Sequence, residues 1–274
     1  MIIVGERLNS SRVSVRQALE KKDENFLVNE ALKQKQAGAD ILDLNVSALP
    51  EKEIELLKWA VPLLQERVDL PLAIDSPHPS AIEVGLSLHR GRALLNSLSL
   101  EKNRWEALLP IIKEYRPLIV ALCLDETGLP STPEEALRLA QRISTKLEKE
   151  GVDPADVFLD PLVRPLGVDY RAGTLFLLSL RLIKQKLPAF RTIAGISNIS
   201  FGLPLRSLLN RTLLSLAAEA GLEAAIIDPC DPEVIASLKA AEALCGRDIN
   251  LKAYLSYARA KKKARGANFP GNAN

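Results

Sequence analysis

At 274 residues, with a net charge of +2, 47% hydrophobic and 26% charged residues, the sequence is that of an ordinary globular chain, long enough for one α/β barrel or two smaller domains. Aromatic residues make up only 4%, which argues against the stacking platforms of single-stranded nucleic-acid binders, and no apolar run has the length that crosses a bilayer. Cys123, Cys230 and Cys245 form no Cys-x-x-Cys or Cys/His cluster, so no metal site is expected; odd, scattered thiols and early charge at Glu6 and Arg7 give the reading of a cytoplasmic protein.

The first strand is expected at Ile2-Ile3-Val4, leading into Gly5-Glu6-Arg7-Leu8-Asn9. Helical periodicity follows over 13–21 and 23–37, and Gly38 closes the second helix. A strand over 39–46 contains Asp43 and Asn45, and a helix spans 51–68. The third strand, 70–76, ends in Asp75-Ser76 and precedes a helix over 80–88. The fourth, 93–97, ends in Asn96-Ser97 before a helix over 100–115. The fifth, 118–124, runs into Asp125-Glu126; Thr132-Pro133-Glu134 then opens a helix reaching about 151. The sixth, 157–160, ends in Asp160 and is followed by a helix over 172–186. The seventh begins at Arg191 and ends in the polar pair Ser197-Asn198, with a helix from Pro204 to about Gly221. The eighth, from Ala224, ends in Asp228, and a last helix covers 232–244.

Eight strand–helix units repeat at roughly 34 residues, with short, apolar, mostly continuous strands. Right-handed crossovers let such a chain close as a (β/α)8 TIM barrel, here a single domain over 1–246. An open doubly wound sheet would want a Gly-rich phosphate turn after the first strand, which Gly5-Glu6-Arg7-Leu8 is not. Residues 247–274 form a basic C-terminal helix or tail, with Arg247, Lys252, Arg259, Lys261, Lys262, Lys263 and Arg265 against Asp248 alone. We read it as a solvated, fraying terminus, with a binding arm for an acidic partner as the alternative.

Glu6 or Asn9, Asp43, Asn45, Asp75, Asn96, Asp160, Asn198 and Asp228 fall at or just past the ends of seven strands, where this fold builds its active site. One such residue is most simply a turn or cap residue. Seven at equivalent positions, without matching Arg or Lys, imply a small planar ligand rich in N–H donors. A phosphate site would show glycines and Lys instead. His78 and His89 are the only histidines; His78, between prolines after the third strand, is a candidate for the mouth, and His89 reads as a surface residue.

Gly5-Glu6-Arg7-Leu8-Asn9, Leu42-Asp43-Leu44-Asn45-Val46, Asp75-Ser76, Asn96-Ser97, Asp160-Pro161-Leu162 and Gly195-Ile196-Ser197-Asn198-Ile199-Ser200, taken together and in this order, resemble the pterin-binding methyltransferases. More narrowly they resemble methyltetrahydrofolate:corrinoid protein methyltransferases, and the resemblance extends to about Cys245. It implies a TIM barrel, usually a homodimer, that moves the N5-methyl group of methyltetrahydrofolate to cobalt(I) of cobalamin carried by a corrinoid partner protein. It implies that Asp75, Asn96 and Asp160 hold the pterin ring, that Asn198 stands near N5, and that Ser197 and Arg206 are neighbouring binding positions. Asp75 and Asp160 are then also candidates to assist the proton transfer. Phe201-Gly202-Leu203, Asp125-Glu126 and the basic extension depart from the family pattern, so the partner could be a corrinoid protein of the iron–sulfur or of the demethylase type. The rival enzyme is dihydropteroate synthase, which would want a lysine on the seventh strand; the non-enzyme rival is a folate-binding partner of a corrinoid protein. Nucleic-acid and membrane partners are not expected, since the chain before the extension is net acidic.

Overall fold

In the computed structural model, which describes residues 1–266, eight parallel strands close into one barrel in chain order. They are β1 (Ile2–Asn9), β2 (Ile41–Asn45), β3 (Leu72–Asp75), β4 (Leu94–Leu98), β5 (Leu118–Leu122), β6 (Val157–Asp160), β7 (Arg191–Gly195) and β8 (Ala224–Ile227). Helices α1 (Val13–Lys21) and α2 (Glu24–Gln36) follow β1, and one helix follows each later strand: α3 (Glu53–Arg67), α4 (Pro79–Leu88), α5 (Lys102–Tyr115), α6 (Pro133–Lys149), α7 (Ala172–Lys186), α8 (Arg206–Ala220) and α9 (Pro232–Leu244). Helix starts obey local chemistry. The Asp23 side chain accepts the Phe26 N–H at 3.0 Å, Thr132 caps α6 with Pro133 in its first turn, and Asp231 caps α9.

Successive strand residues point to opposite faces, and each face has its own core. Outward side chains such as Leu42, Leu72, Leu95 and Ile119 pack against the helices. Inward, Val4, Ile41, Ala73, Leu94, Val120, Phe158, Ile193 and Ala224 fill the barrel, one from each strand. Two residues further toward the carboxyl ends, the inward positions are Glu6, Asp43, Asp75, Asn96, Leu122, Asp160, Gly195 and Ile226. The barrel is thus an apolar plug topped by a layer that is polar on β1 to β4 and β6 and apolar on β5, β7 and β8.

Among the element ends that differ from the sequence reading, those of β1 and β7 have a reason in the ladder. β1 continues to Asn9 because Leu8 and Asn9 pair with Leu44 and Asn45, after a one-residue slip between Gly5 and Leu8. β7 stops at Gly195, before the expected polar tip. Its neighbours are already ending: Gly195 pairs with Ile226 on one side, while β6 pairs only through Thr192 on the other. Ile196–Ser200 therefore winds into a 3-10 turn, and α8 starts at Arg206, past a left-handed Leu205. In the basic extension Lys252–Gly266 is a helix, α10, whose start is held by the Asp248 carboxylate on the N–H groups of Ala253 and Tyr254. Residues 267–274 of that extension lie outside the described residues.

Candidate active site

Four carboxyl groups surround the top of the plug, and each is tied by one oxygen. Asn45 Nδ2 donates to Asp75 Oδ2 at 2.8 Å, and Asn96 Nδ2 to Asp43 Oδ1 at 3.1 Å. The Leu162 N–H donates to Asp160 Oδ1 at 2.7 Å, from a residue in the left-handed region, and Ser197 Oγ donates to Glu6 Oε1 at 2.6 Å. Register puts Asn45, Asp75 and Asn96 side by side, with Asp160 opposite Leu122 on β5. Among the described residues the second oxygen of each carboxyl has no hydrogen-bond partner.

Burial sets the charge of this layer. Desolvation lifts Glu6 and Asp160 each to about 7. Asp43 is raised well above the carboxylate range, by burial first and by the neighbouring Asp75 second. Asp75 is also raised by burial, against the Asn45 hydrogen bond and the Arg104 charge, which lower it. Near neutrality the layer therefore mixes carboxylic acids with carboxylates. It can donate as well as accept, which fits the alternating edge of a planar heterocycle better than it fits a cation or an anion.

The other residues singled out in the sequence take different places. Asn45 is a strut: its Oδ1 accepts from Ser10 Oγ, Ser47 N and Ser47 Oγ while its amide holds Asp75. The slip in β1 brings Asn9 level with Asn45, but the Asn9 Oδ1 closes a turn onto the Ser11 N–H at 2.9 Å. Asp228 corrects the expectation of a ring without matching cations. Arg7 Nη1 holds its Oδ2 at 2.9 Å, and the Cys230 N–H holds Oδ1. The sequence could not show this, because Arg7 also bonds Glu30 and reaches Asp228 only through closure of the barrel between β1 and β8.

Ser197 and Asn198 part company on the 3-10 turn. Ser197 turns back to Glu6, whereas Asn198 is exposed, with its amide lying over Gly195; a Cβ there would come within 3.0 Å of Asn198 Nδ2. The Asn198 side chain makes no hydrogen bond among the described residues. Arg206 is exposed and braces the turn, from Nε to Ser200 Oγ at 3.0 Å and from Nη2 to the Ser197 carbonyl at 2.9 Å. Beside it a cavity of about 220 Å³ is lined by Glu6, Arg12, Ser197, Arg206, Asn210 and Asp228 among others. The Asn210 Oδ1 is buried without a partner.

Two features were missed in the sequence. Arg104, on the first turn of α5, donates to the carbonyls of Ser76, Pro77 and Ser97, the residues just after Asp75 and Asn96. One guanidinium thus locks two neighbouring strand ends together, and burial lowers its own pKa. Nothing in the spacing of Lys102-Asn103-Arg104 signals this. His78 does not face the layer: its Nδ1 lies 2.6 Å from Glu53, a buried carboxyl that also accepts from Ser76 Oγ at 2.7 Å. His89 accepts the Leu72 N–H through Nε2 at 3.0 Å, at the opposite end of β3.

Residues 5–228 match the family of pterin binding enzymes. The chain is 35% identical over 250 residues to a methylcorrinoid:tetrahydrofolate methyltransferase of Eubacterium limosum, covering 90% of this chain and 92% of that protein. It is 28% identical over 240 residues to methionine synthase of Mycobacterium tuberculosis, covering 83% of this chain and 20% of that much longer protein. Among solved structures, a dihydropteroate synthase from Xanthomonas albilineans in complex with 7,8-dihydropteroate superposes with a TM-score of 0.66 at 18% identity, covering 89% of this chain and 93% of that one. That likeness is one of fold. By family match and by relatedness over nearly its whole length, the chain belongs to the pterin-binding enzyme family.

Proposed function

We propose that the chain transfers the N5-methyl group of methyltetrahydrofolate to cobalt(I) of a corrinoid carried by a partner protein. By its relatedness to the Eubacterium limosum enzyme it is a methyltransferase. The name of that relative gives transfer from methylcorrinoid to tetrahydrofolate; one transition state serves both directions, and reactant concentrations set the net flow. The observation that carries the reading is the layer of Asp43, Asp75, Asn96 and Asp160 at the carboxyl ends of the strands, in which each carboxyl has one oxygen without a hydrogen-bond partner among the described residues. In this reading Asp75, Asn96 and Asp160 take the amino and ring N–H groups of the pterin.

The chemistry asks for more than binding. The methyl group leaves a tertiary amine, so N5 has to gain positive character before cobalt(I) attacks the methyl carbon and the C–N5 electron pair returns to nitrogen. A donor whose bond to N5 tightens in the transition state lowers that barrier. Asn198 is suited to this role: its amide is held over Gly195 and is not spent on a protein partner. The amide cannot be the proton source. The proton is drawn from solvent through the polar layer; Glu6, raised to about 7 and bonded to Ser197 beside Asn198, is the acid suited to relay it, while the one unpartnered oxygen of Asp160 is engaged by the ring. The reading also takes the enzyme to be a cytoplasmic homodimer, which sedimentation analysis would test; among the described residues no helix is long and apolar enough to cross a membrane.

The test is to mix the purified protein with methyltetrahydrofolate and reduced free cobalamin and follow the cobalt(I) absorbance. Protein-dependent conversion to methylcobalamin is expected. Asn198→Ala should lower the rate with a smaller loss of folate affinity. Absence of folate binding would overturn the pterin reading. Folate binding without conversion, with free or protein-borne corrinoid, would leave a binding protein rather than an enzyme.

A further inference from the structure

We propose that α10 is a docking arm for an acidic face of the corrinoid-carrying partner, an inference that rests on the methyl-transfer reading above. Position comes first. α9 follows β8, so it starts on the mouth side of the barrel and ends on the far side. The chain leaves that far end with Arg247 and Asp248 bonded to the Glu242 carbonyl, and Asp248 caps α10 there. Five residues into α10, Tyr257 Oη donates to the carbonyl of Pro232, the first residue of α9, at 3.1 Å. α10 therefore runs back along α9 toward the mouth. At ~1.5 Å per residue, Lys261, Lys262 and Lys263 stand roughly 6–9 Å beyond Tyr257 along the helix axis, on the side where the methyl acceptor has to arrive.

Charge is the second, independent observation. From Lys252 to the end of the sequence there is no acidic residue, while Lys252, Arg259, Lys261, Lys262 and Lys263 are all exposed. Several basic groups elsewhere on the surface are paired, as in Lys22–Glu55, Lys113–Glu150, Lys184–Glu223 and Arg181–Glu219; others, such as Lys35 and Lys58, are not, but they lie on helices that also carry acidic residues. None of the five on α10 is in an ion pair among the described residues. The Lys261 ammonium lies 5.6 Å from the centroid of the Tyr257 ring, a contact that leaves it exposed and, among the described residues, without a carboxylate partner. Tyr254 and Leu255, 39% and 41% exposed, add apolar contacts beside the lysines. Basic residues next to exposed aromatic and aliphatic side chains make a protein-binding surface, and their charge selects an acidic one.

The test separates docking from chemistry. Transfer from methyltetrahydrofolate is measured to free cob(I)alamin and to two cob(I)alamin-loaded corrinoid proteins, one of the iron–sulfur and one of the demethylase type, at low and high salt. The wild type is compared with the triple variants Lys261→Glu/Lys262→Glu/Lys263→Glu and Lys261→Gln/Lys262→Gln/Lys263→Gln. The glutamate variant should lose at least about tenfold in kcat/KM with one corrinoid protein at low salt, the glutamine variant less, and salt should narrow both differences. Free cob(I)alamin should react equally in all three. An equal loss with free cob(I)alamin, or no loss with either protein, overturns the arm. So does a variant that only loses binding to phosphatidylserine vesicles or to an oligonucleotide. A wild type inactive on all three acceptors marks failure of the methyl-transfer reading itself, and the arm falls with it.

Discussion

Replacing Asp160 by Asn should make the folate-free protein more stable, and increasingly so as pH rises. Asp160 is 6% exposed, and its carboxyl is raised from 3.8 to about 7 because burial penalises the charge. Between those values the unfolded chain carries an ionised Asp160 while the folded chain keeps it protonated. Folding stability therefore falls as pH rises through that window and levels off above it. At ~1.36 kcal/mol per pH unit, the full penalty approaches about 4 kcal/mol by about pH 8. Asparagine keeps the oxygen that accepts the Leu162 N–H at 2.7 Å but cannot ionise. At roughly 2–4 °C per kcal/mol, the gain in Tm should be on the order of 10 °C near pH 8 and vanish near pH 4. Thermal melts of both proteins across that range, without folate, measure the difference directly. A constant offset between the two curves would refute the argument, because a lost contact or a packing change is blind to pH. The same variant should bind folate more weakly, which would make Asp160 a site where ligand recognition is retained at the expense of stability.

Three further outcomes follow from the geometry. Folate binding should be accompanied by proton exchange with solvent, since N–H donors placed on carboxyls titrating near 7 shift them; calorimetry in buffers of different ionisation enthalpy should show a buffer-dependent binding heat, reduced in Asp160→Asn. Arg104→Ala should weaken folate binding about tenfold or more through three freed carbonyls, each hydrogen bond to a charged group being worth ~1.5–3 kcal/mol, and added guanidinium should partly restore it, as measured by fluorescence titration. Gly85→Ala should destabilise the fold by about 1–3 kcal/mol, because a Cβ there would lie 2.5 Å from Ile74 Cγ2; combined with Ile74→Ala, which removes that atom, the double variant should lose less in a denaturant melt than the two single losses added together.

The barrel was legible in the sequence because its signal is repetitive. Strands such as 118–122 are short apolar runs separated by helices of ordinary period, and eight such units have few ways to close. The polar layer was legible for a related reason: Asp43, Asp75, Asn96 and Asp160 all sit two residues past an inward apolar residue. What could not be read depends on closure or on neighbours. The pairing of Asn9 with Asn45 comes from a slip in β1, and the end of β7 at Gly195 from the ending of β6 and β8. Arg7 meets Asp228 across 221 residues of chain, and Arg104 acts on carbonyls, which leave no trace in side-chain patterns.

The clamp made by Arg104 gives the mouth a fixed jaw. Because the segments after β3 and β4 hang from one guanidinium, Asp75 and Asn96 cannot be displaced separately, and that half of the rim moves as a block or stays still. The opposite half is built differently. Leu162, Gly202 and Leu205 adopt left-handed backbone there, around short turns braced mainly by Arg206. In the methyl-transfer reading proposed above, the Arg104-tied side is the fixed wall of the opening and the β6–β8 side the one with room to shift as reactants exchange.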